Sequence, residues 1–340
     1  YEIRPRDWSS DVCSSDLNRE FDAALEILDR GLAGNLLPSN VDLLVEKGRV
    51  YFDRREYDLA DAQAALALYV DPRTPAAYEL RIAASFAQDE PGRAVLQAQD
   101  YLYYLPGSAR AWLLLGDARR AEGNGDLALA AYTQALAGEN PADERAALLA
   151  RASLYASHRR WELARQDLTG GLQISDDPAV RAQRMISAWQ AGRYDAALDD
   201  ARALAGTNAL PGPELNLYTA RILVDGAGSN TAAYRQALNL LAPLLDAEAG
   251  LPPRQRAIAA ETLARAHLGL GDANTALGFI DQALAAGATA ERHLVRGQIF
   301  AALDDIGAAR QEFDWVLTWG DIAPLAAAVQ AAGEIEALNG

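Results

Sequence analysis

The side chains able to do chemistry are few and scattered along these 340 residues. The three histidines, His158, His267 and His293, fall in separate stretches, and none stands in an HExxH pattern, where two imidazoles one helical turn apart would face one metal ion. Each reads as a helix-end or surface residue. A serine nucleophile needs a histidine base and a sharp turn such as GxSxG to expose its hydroxyl, and that pattern is missing. The stretch ILVDGAGSN, 222–230, is superficially like a strand running into a phosphate loop. It lacks the third glycine and the following lysine, so it reads as the end of one helix and the loop to the next. In Gly123-Asn124-Gly125, glycine supplies the positive φ that stops a helix at a turn. The acidic pairs Asp176-Asp177, Asp199-Asp200 and Asp304-Asp305 could suggest acid–base work or calcium. Adjacent carboxylates do not converge on a helix, however, and the first and third pairs sit where aspartate caps a following helix. No catalytic residue is assigned, and neither a metal nor a cofactor is expected.

The elements carrying these residues are repeated. Ala24, Ala60, Ala94, Ala128, Ala164, Ala197, Ala237, Ala276 and Ala309 recur at gaps of 36, 34, 34, 36, 33, 40, 39 and 33 residues, a period that means stacked supersecondary units. Around each alanine the apolar spacing predicts two short helices and a turn. Within 41–72, Leu44, Gly48 and Tyr51 mark the first helix, Arg55 the turn, and Tyr57, Ala60, Ala64, Ala67 and Leu68 the second. Pro72, Pro106 and Pro141 keep the same time, and each is expected to end a helix because proline lacks the amide donor. Gly48, Gly116 and Gly297 in first helices, opposite alanine in second helices, let the two backbones approach. Tyr51, Tyr155 and Phe300 are expected to fill the space beside them.

On these residues the chain resembles the tetratricopeptide-repeat family, whose 34-residue unit has aromatic, Leu-Gly, Tyr, Ala, aromatic, Ala and Pro positions. Trp112, Leu115, Gly116, Ala128, Tyr132 and Ala135 match best, and Leu294, Gly297, Phe300, Ala309, Phe313 and Leu317 fit nearly as well. The fifth to seventh units put Ala152, Met185 and Ala220 at the glycine position. The resemblance covers roughly residues 18–320. It implies an all-α fold, an α–α superhelix of about nine helical hairpins with a truncated first repeat, closed by a capping helix over 321–340 that shows Leu325, Val329 and Ile335 on one face.

The resemblance also implies that first helices line a concave, ligand-contacting face. By register, its partner-binding candidates are Arg49, Phe52, Glu79, Phe86, Leu113, Asp117, Arg120, Trp189 and Arg265, beside Asp42, Val45, Ala76, Ala83, Arg110, Ile186, Glu261 and Leu268. One subtype grips a terminal carboxylate of chaperones with lysine and asparagine; Val45, Arg49, Leu113 and Asp117 stand there instead, so that clamp is absent. Exposed aromatics flanked by Arg and Glu suit an amphipathic helix or extended segment of a partner protein. The alternative is that Phe52, Phe86 and Trp189 pack against neighbouring repeats.

Residues 1–17 show no helical period, and Asp7–Leu17 reads as the translation of a widely used sequencing adapter. On that reading the segment is a non-native, disordered leader, its Cys13 is foreign, and the chain starts within a repeat whose upstream part could have held an anchor or another domain. An uncovered apolar row, Leu25, Leu28 and Leu32, would then invite self-association. The net charge is −16, and the leader's Glu2, Asp7, Asp11 and Asp16 against Arg4 and Arg6 account for only two units of it. So acidic a chain argues against sequence-independent nucleic-acid binding and against docking of the solenoid on anionic lipid. Lys47 is the lone lysine among many arginines, a usage that fits a GC-rich bacterial genome, with cytoplasm or periplasm as the default location.

The function expected is a non-enzymatic scaffold holding protein or peptide segments. The alternative is a helical accessory module of a larger enzyme, secretion or membrane-associated assembly, and a third reading is a sensor of a small peptide or metabolite.

Overall fold

The computed structural model describes residues 14–33, 40–245, 251–319 and 325–339. Its regular elements are helices throughout, and among the described residues there is no strand. The chain divides into two units, 1–175 and 176–340.

The first unit opens with α1 (Ser14–Leu32) and continues as four hairpins. These are α2 (Val41–Asp53) with α3 (Tyr57–Val70), α4 (Pro75–Ala87) with α5 (Pro91–Tyr104), α6 (Ala109–Ala121) with α7 (Gly125–Ala135), and α8 (Pro141–Ser157) with α9 (Trp161–Ile174). The second unit has four more: α10 (Pro178–Gln190) with α11 (Tyr194–Leu204), α12 (Gly212–Gly226) with α13 (Thr231–Leu241), α14 (Pro253–Gly269) with α15 (Ala273–Ala285), and α16 (Ala290–Ala302) with α17 (Ile306–Thr318). It ends in α18 (Leu325–Asn339). Among the described residues there are thus eight full hairpins, with α1 standing where the truncated first repeat was expected and α18 following the last pair. Each helix packs on the one before it within its unit.

All nine periodic alanines lie on second helices or on α1, which takes the second-helix register. The eight from Ala60 to Ala309 are completely buried. A methyl group is the largest side chain that lets the paired helices close to this separation. The glycines answer to the second helix in the same way. A Cβ on Gly116 would stand 2.5 Å from the Tyr132 ring, and one on Gly297 would collide with the ring of Phe313. At Gly116 and Gly297 the aromatic filling this space is therefore that of the partner helix, whereas a Cβ on Gly48 would meet Leu80 of α4 and the Ala60 carbonyl.

Every hairpin turn contains a residue with positive φ: Arg55, Asp89, Gly123, Arg159, Gly192, Gly228, Gly271 and Asp304. In seven of the eight, the amide after that residue reaches back to a carbonyl five positions earlier, as from Glu56 to Tyr51 (2.9 Å) and from Asn124 to Arg119 (2.8 Å). This bond occupies a carbonyl left open at the helix end and sets the direction of the return helix. Pro72 and Pro106 follow α3 and α5 as expected, but Pro141 opens α8, where a missing amide costs nothing.

The ends depart from expectation in two places. Residues 1–13 of the leader lie outside the described residues, while α1 begins at Ser14, inside the segment set aside from the sequence. Leu25, Leu28 and Leu32 are half-buried and Ile27 is exposed, with α1 tied to α2 by ion pairs from Arg54 to Asp22 and from Lys47 to Asp29. In α18 the buried face is Ala327 and Ala331, continued by Ile335 and Leu338, against Leu294, Phe313 and Val316. Val329 points outward, because the small alanines allow the closer approach. No described helix is long and apolar enough to cross a membrane.

Candidate partner-binding faces of the first helices

In the first unit the candidate residues are divided between surface and core. Arg49 is exposed on α2 and pairs with Glu46 (2.5 Å). Glu79 on α4 meets Arg110 on α6 at 3.4 Å, and Arg120 lies 3.7 Å from Asp117. Asp117 accepts a hydrogen bond from the Tyr132 hydroxyl (2.8 Å), which fastens α6 to α7. Burial pushes the Asp117 carboxyl above its ordinary value, against the downward pull of the Tyr132 hydrogen bond and of Arg120 and Arg110. Leu113 is not available to a partner. It is 3% exposed and packs with Tyr132 and Ala147, because its register turns it toward α7 and α8. Phe52 and Phe86 are half-buried against the core, Phe52 edge-on to Tyr57 with ring centroids 5.3 Å apart.

In the second unit, side chains far apart in sequence meet across the first helices. Trp189 on α10 is 7% exposed, so it too belongs to the core rather than to an open surface. Its indole N–H donates to Asp225 Oδ2 on α12 (2.8 Å), and Asp225 Oδ1 pairs with Arg265 Nη1 on α14 (2.7 Å). One turn before Asp225, the Arg221 guanidinium lies over the Trp189 ring, 4.5 Å from its centroid. One turn before Arg265, Glu261 accepts from Arg292 Nε on α16 (3.1 Å). Gln298 on α16 then donates to Glu334 on α18 (3.0 Å). Beside this chain of contacts is a cavity of about 280 Å³, lined by Arg221, Glu261, Arg265, Leu294, Gln298 and Gln330 among others. Of the candidates named from sequence, Glu261 and Arg265 line it.

Within hairpins, an arginine on the first helix grips an acid sixteen residues later. Arg151 holds Asp167 through two hydrogen bonds (2.8 and 2.7 Å), Arg184 holds Asp200 likewise (2.9 and 2.6 Å), and Arg296 meets Glu312 at 3.0 Å. That sixteen-residue spacing is present in the sequence. It explains Asp200, a buried structural anchor beside the exposed Asp199. Asp177 and Asp305 cap α10 and α17, whereas Asp304 is the left-handed turn residue.

Among the histidines, His158 and His267 are at helix ends, but His293 is stacked on Trp315 with centroids 3.7 Å apart and bonded to Glu312 (2.6 Å) inside the α16–α17 hairpin. Among the described residues no three His, Cys, Asp or Glu side chains gather as metal ligands would.

No protein-family model matches the chain, and no curated protein does either. Solved structures do. The C-terminal part of a TPR repeat-containing protein from Cytophaga hutchinsonii aligns over 77% of this chain and 99% of its own, at 15% identity and a TM-score of 0.51. A chain of the APC/C hetero-tetramer Cut9–Hcn1 aligns over 95% of this chain at 16% identity and a TM-score of 0.47, and this chain spans 59% of its length. Pseudomonas aeruginosa pilF aligns over 69% of this chain and 95% of its own, at 14% identity and a TM-score of 0.47. With the eight hairpins among the described residues, the buried alanine register and the Cytophaga hutchinsonii structure together, the chain has the α–α solenoid fold of tetratricopeptide-repeat proteins.

Proposed function

We propose that this chain is a non-enzymatic scaffold whose first-helix faces hold segments of partner proteins. The observation that carries the reading is the cross-linked face of the second unit, where α10, α12, α14 and α16 are joined through Trp189, Asp225, Arg265, Glu261 and Arg292. Side chains fixed to one another across helices lose little further freedom on binding, so a partner meets a preformed surface. In the first unit, Arg49, Glu79 and Arg120 offer charges at the rim of the corresponding face, a distribution that favours selection and steering over raw affinity.

Affinity capture with the intact chain as bait tests this. One variant carries Arg49→Ala, Glu79→Ala and Arg120→Ala; another carries Arg265→Ala with Leu294→Glu. At least one variant should lose captured proteins while keeping its helical circular dichroism. An unchanged captured set from both would sink the reading.

A further inference from the structure

Apart from the exposed Glu291, the cavity in the second unit has walls whose charges are matched, with one exception. Asp225 gives one oxygen to the Trp189 indole and the other to Arg265, and Glu261 is held by Arg292, whose Nη1 is itself anchored on the carbonyls of Ala283 and Gly287. Arg221 is different. Its contact is with the face of Trp189, which restrains the guanidinium plane and leaves the N–H edge unused. Among the described residues Arg221 makes no hydrogen bond or ion pair. Burial pushes this guanidinium below its ordinary value, with Glu261 and Asp225 acting upward and Arg265 downward. A partly buried cation with an idle fork gains most from a planar anion that brings two acceptors at once.

The size and lining narrow the choice. About 280 Å³ is at the small end for a ligand cavity, enough for one side chain rather than a length of chain. Leu294, Val295 and Ala327, all nearly buried, supply an apolar surface for a short methylene stem. Glu291 also lines the cavity but is exposed, where solvent and salt screen its charge.

Building on the scaffold reading, we propose that this cavity receives the side-chain carboxylate of a Glu or Asp within a partner segment, bound two-pronged by Arg221 on its Trp189 platform, with Leu294 and Val295 against the stem. The remaining surface of the segment lies along the first helices. Arg265, already paired with Asp225, holds the platform in place through that carboxylate.

The test uses the full chain and short peptides with random flanks, acetylated and amidated at their ends, with Glu, Gln or Lys fixed at the centre. A fourth set has central Gln and a free C-terminal carboxylate. The Glu set should be retained at least about tenfold over the other three. Arg221→Gln should erase that preference, and Arg221→Lys should keep only part of it, since an ammonium has no fork. Gln330→Glu, which leaves Arg221 in place and sets a competing carboxylate in the wall, should weaken the Glu set selectively. Equal retention of Glu and Gln peptides, preference for the free carboxylate, or a Glu preference that survives Arg221→Gln in a folded protein overturns the inference and leaves the scaffold reading standing. If no set is retained and partner capture is also unaffected by the face variants, both fall.

Discussion

Tyr132 lies where a side chain on Gly116 would have to be: a Cβ there would come 2.5 Å from two carbons of the ring. Tyr132 is completely buried, and its hydroxyl is bonded to Asp117 on the same helix as the glycine, so the ring cannot swing aside without breaking that bond.

Gly116→Ala should therefore destabilise the protein by about 1–3 kcal/mol through overpacking, despite the better helix propensity of alanine. Gly278 in α15 has open space where its Cβ would go. Gly278→Ala should stabilise by about 0.5–1 kcal/mol. Urea denaturation of the two variants checks both signs, and a stabilising Gly116→Ala would contradict the packing described.

Four turns use a residue other than glycine at positive φ, among them Arg55 (64°) and Arg159 (56°). Left-handed backbone costs an L-residue about 1–2 kcal/mol. Glycine's looser unfolded state returns part of this. Arg159→Gly should raise stability by roughly 0.5–1 kcal/mol, whereas Gly271→Ala at 81° should lower it. Thermal melts of the pair decide the matter.

Asp200 is almost fully buried and bidentate to Arg184; Asp199 beside it is exposed. Removing the buried carboxylate takes away both hydrogen bonds of this pair, so Asp200→Ala should cost about 3–5 kcal/mol. Asp199→Ala should stay within about 0.5 kcal/mol of the parent. Comparable losses for the two would refute the role given to the sixteen-residue spacing.

Asp117 supplies a pH dependence with a definite sign. Its folded pKa is raised above 3.8, so the native state holds this proton more tightly than the unfolded chain does. The stabilising contribution is complete below the ordinary carboxylate value and is lost as pH rises through the folded one. Asp117→Asn, which keeps an acceptor for Tyr132 and carries no charge, should be more stable than the parent at neutral pH. That advantage should vanish in acid, below about pH 4. Melting temperatures of both proteins across pH 3–7 measure it, and an advantage constant across that range would count against the assignment.

How much was legible differs between the second helices and the first. The alanine period could be read from the sequence because backbone approach admits one kind of side chain: the requirement is local, identical in each unit, and leaves the same residue at the same register from Ala60 to Ala309. The turns, the pairing of helices and the placing of Asp177 and Asp305 as caps follow from similarly short-range rules. The face was harder to read. Register alone put Leu113 and Trp189 beside Arg49 and Arg120 as candidates, yet the first two are buried and the others exposed. Which part of a first helix stays open depends on its rotation against both neighbours, and that is fixed by packing summed over several helices.

The amino-acid order by itself determined the repeated hairpin, since each unit must bury the same apolar stripe on the next. Only the tertiary structure decided that Trp189, Arg221, Asp225 and Arg265, spread over three helices, converge beside one cavity, because a contact across stacked units depends on the distance between helices and not on any spacing within one.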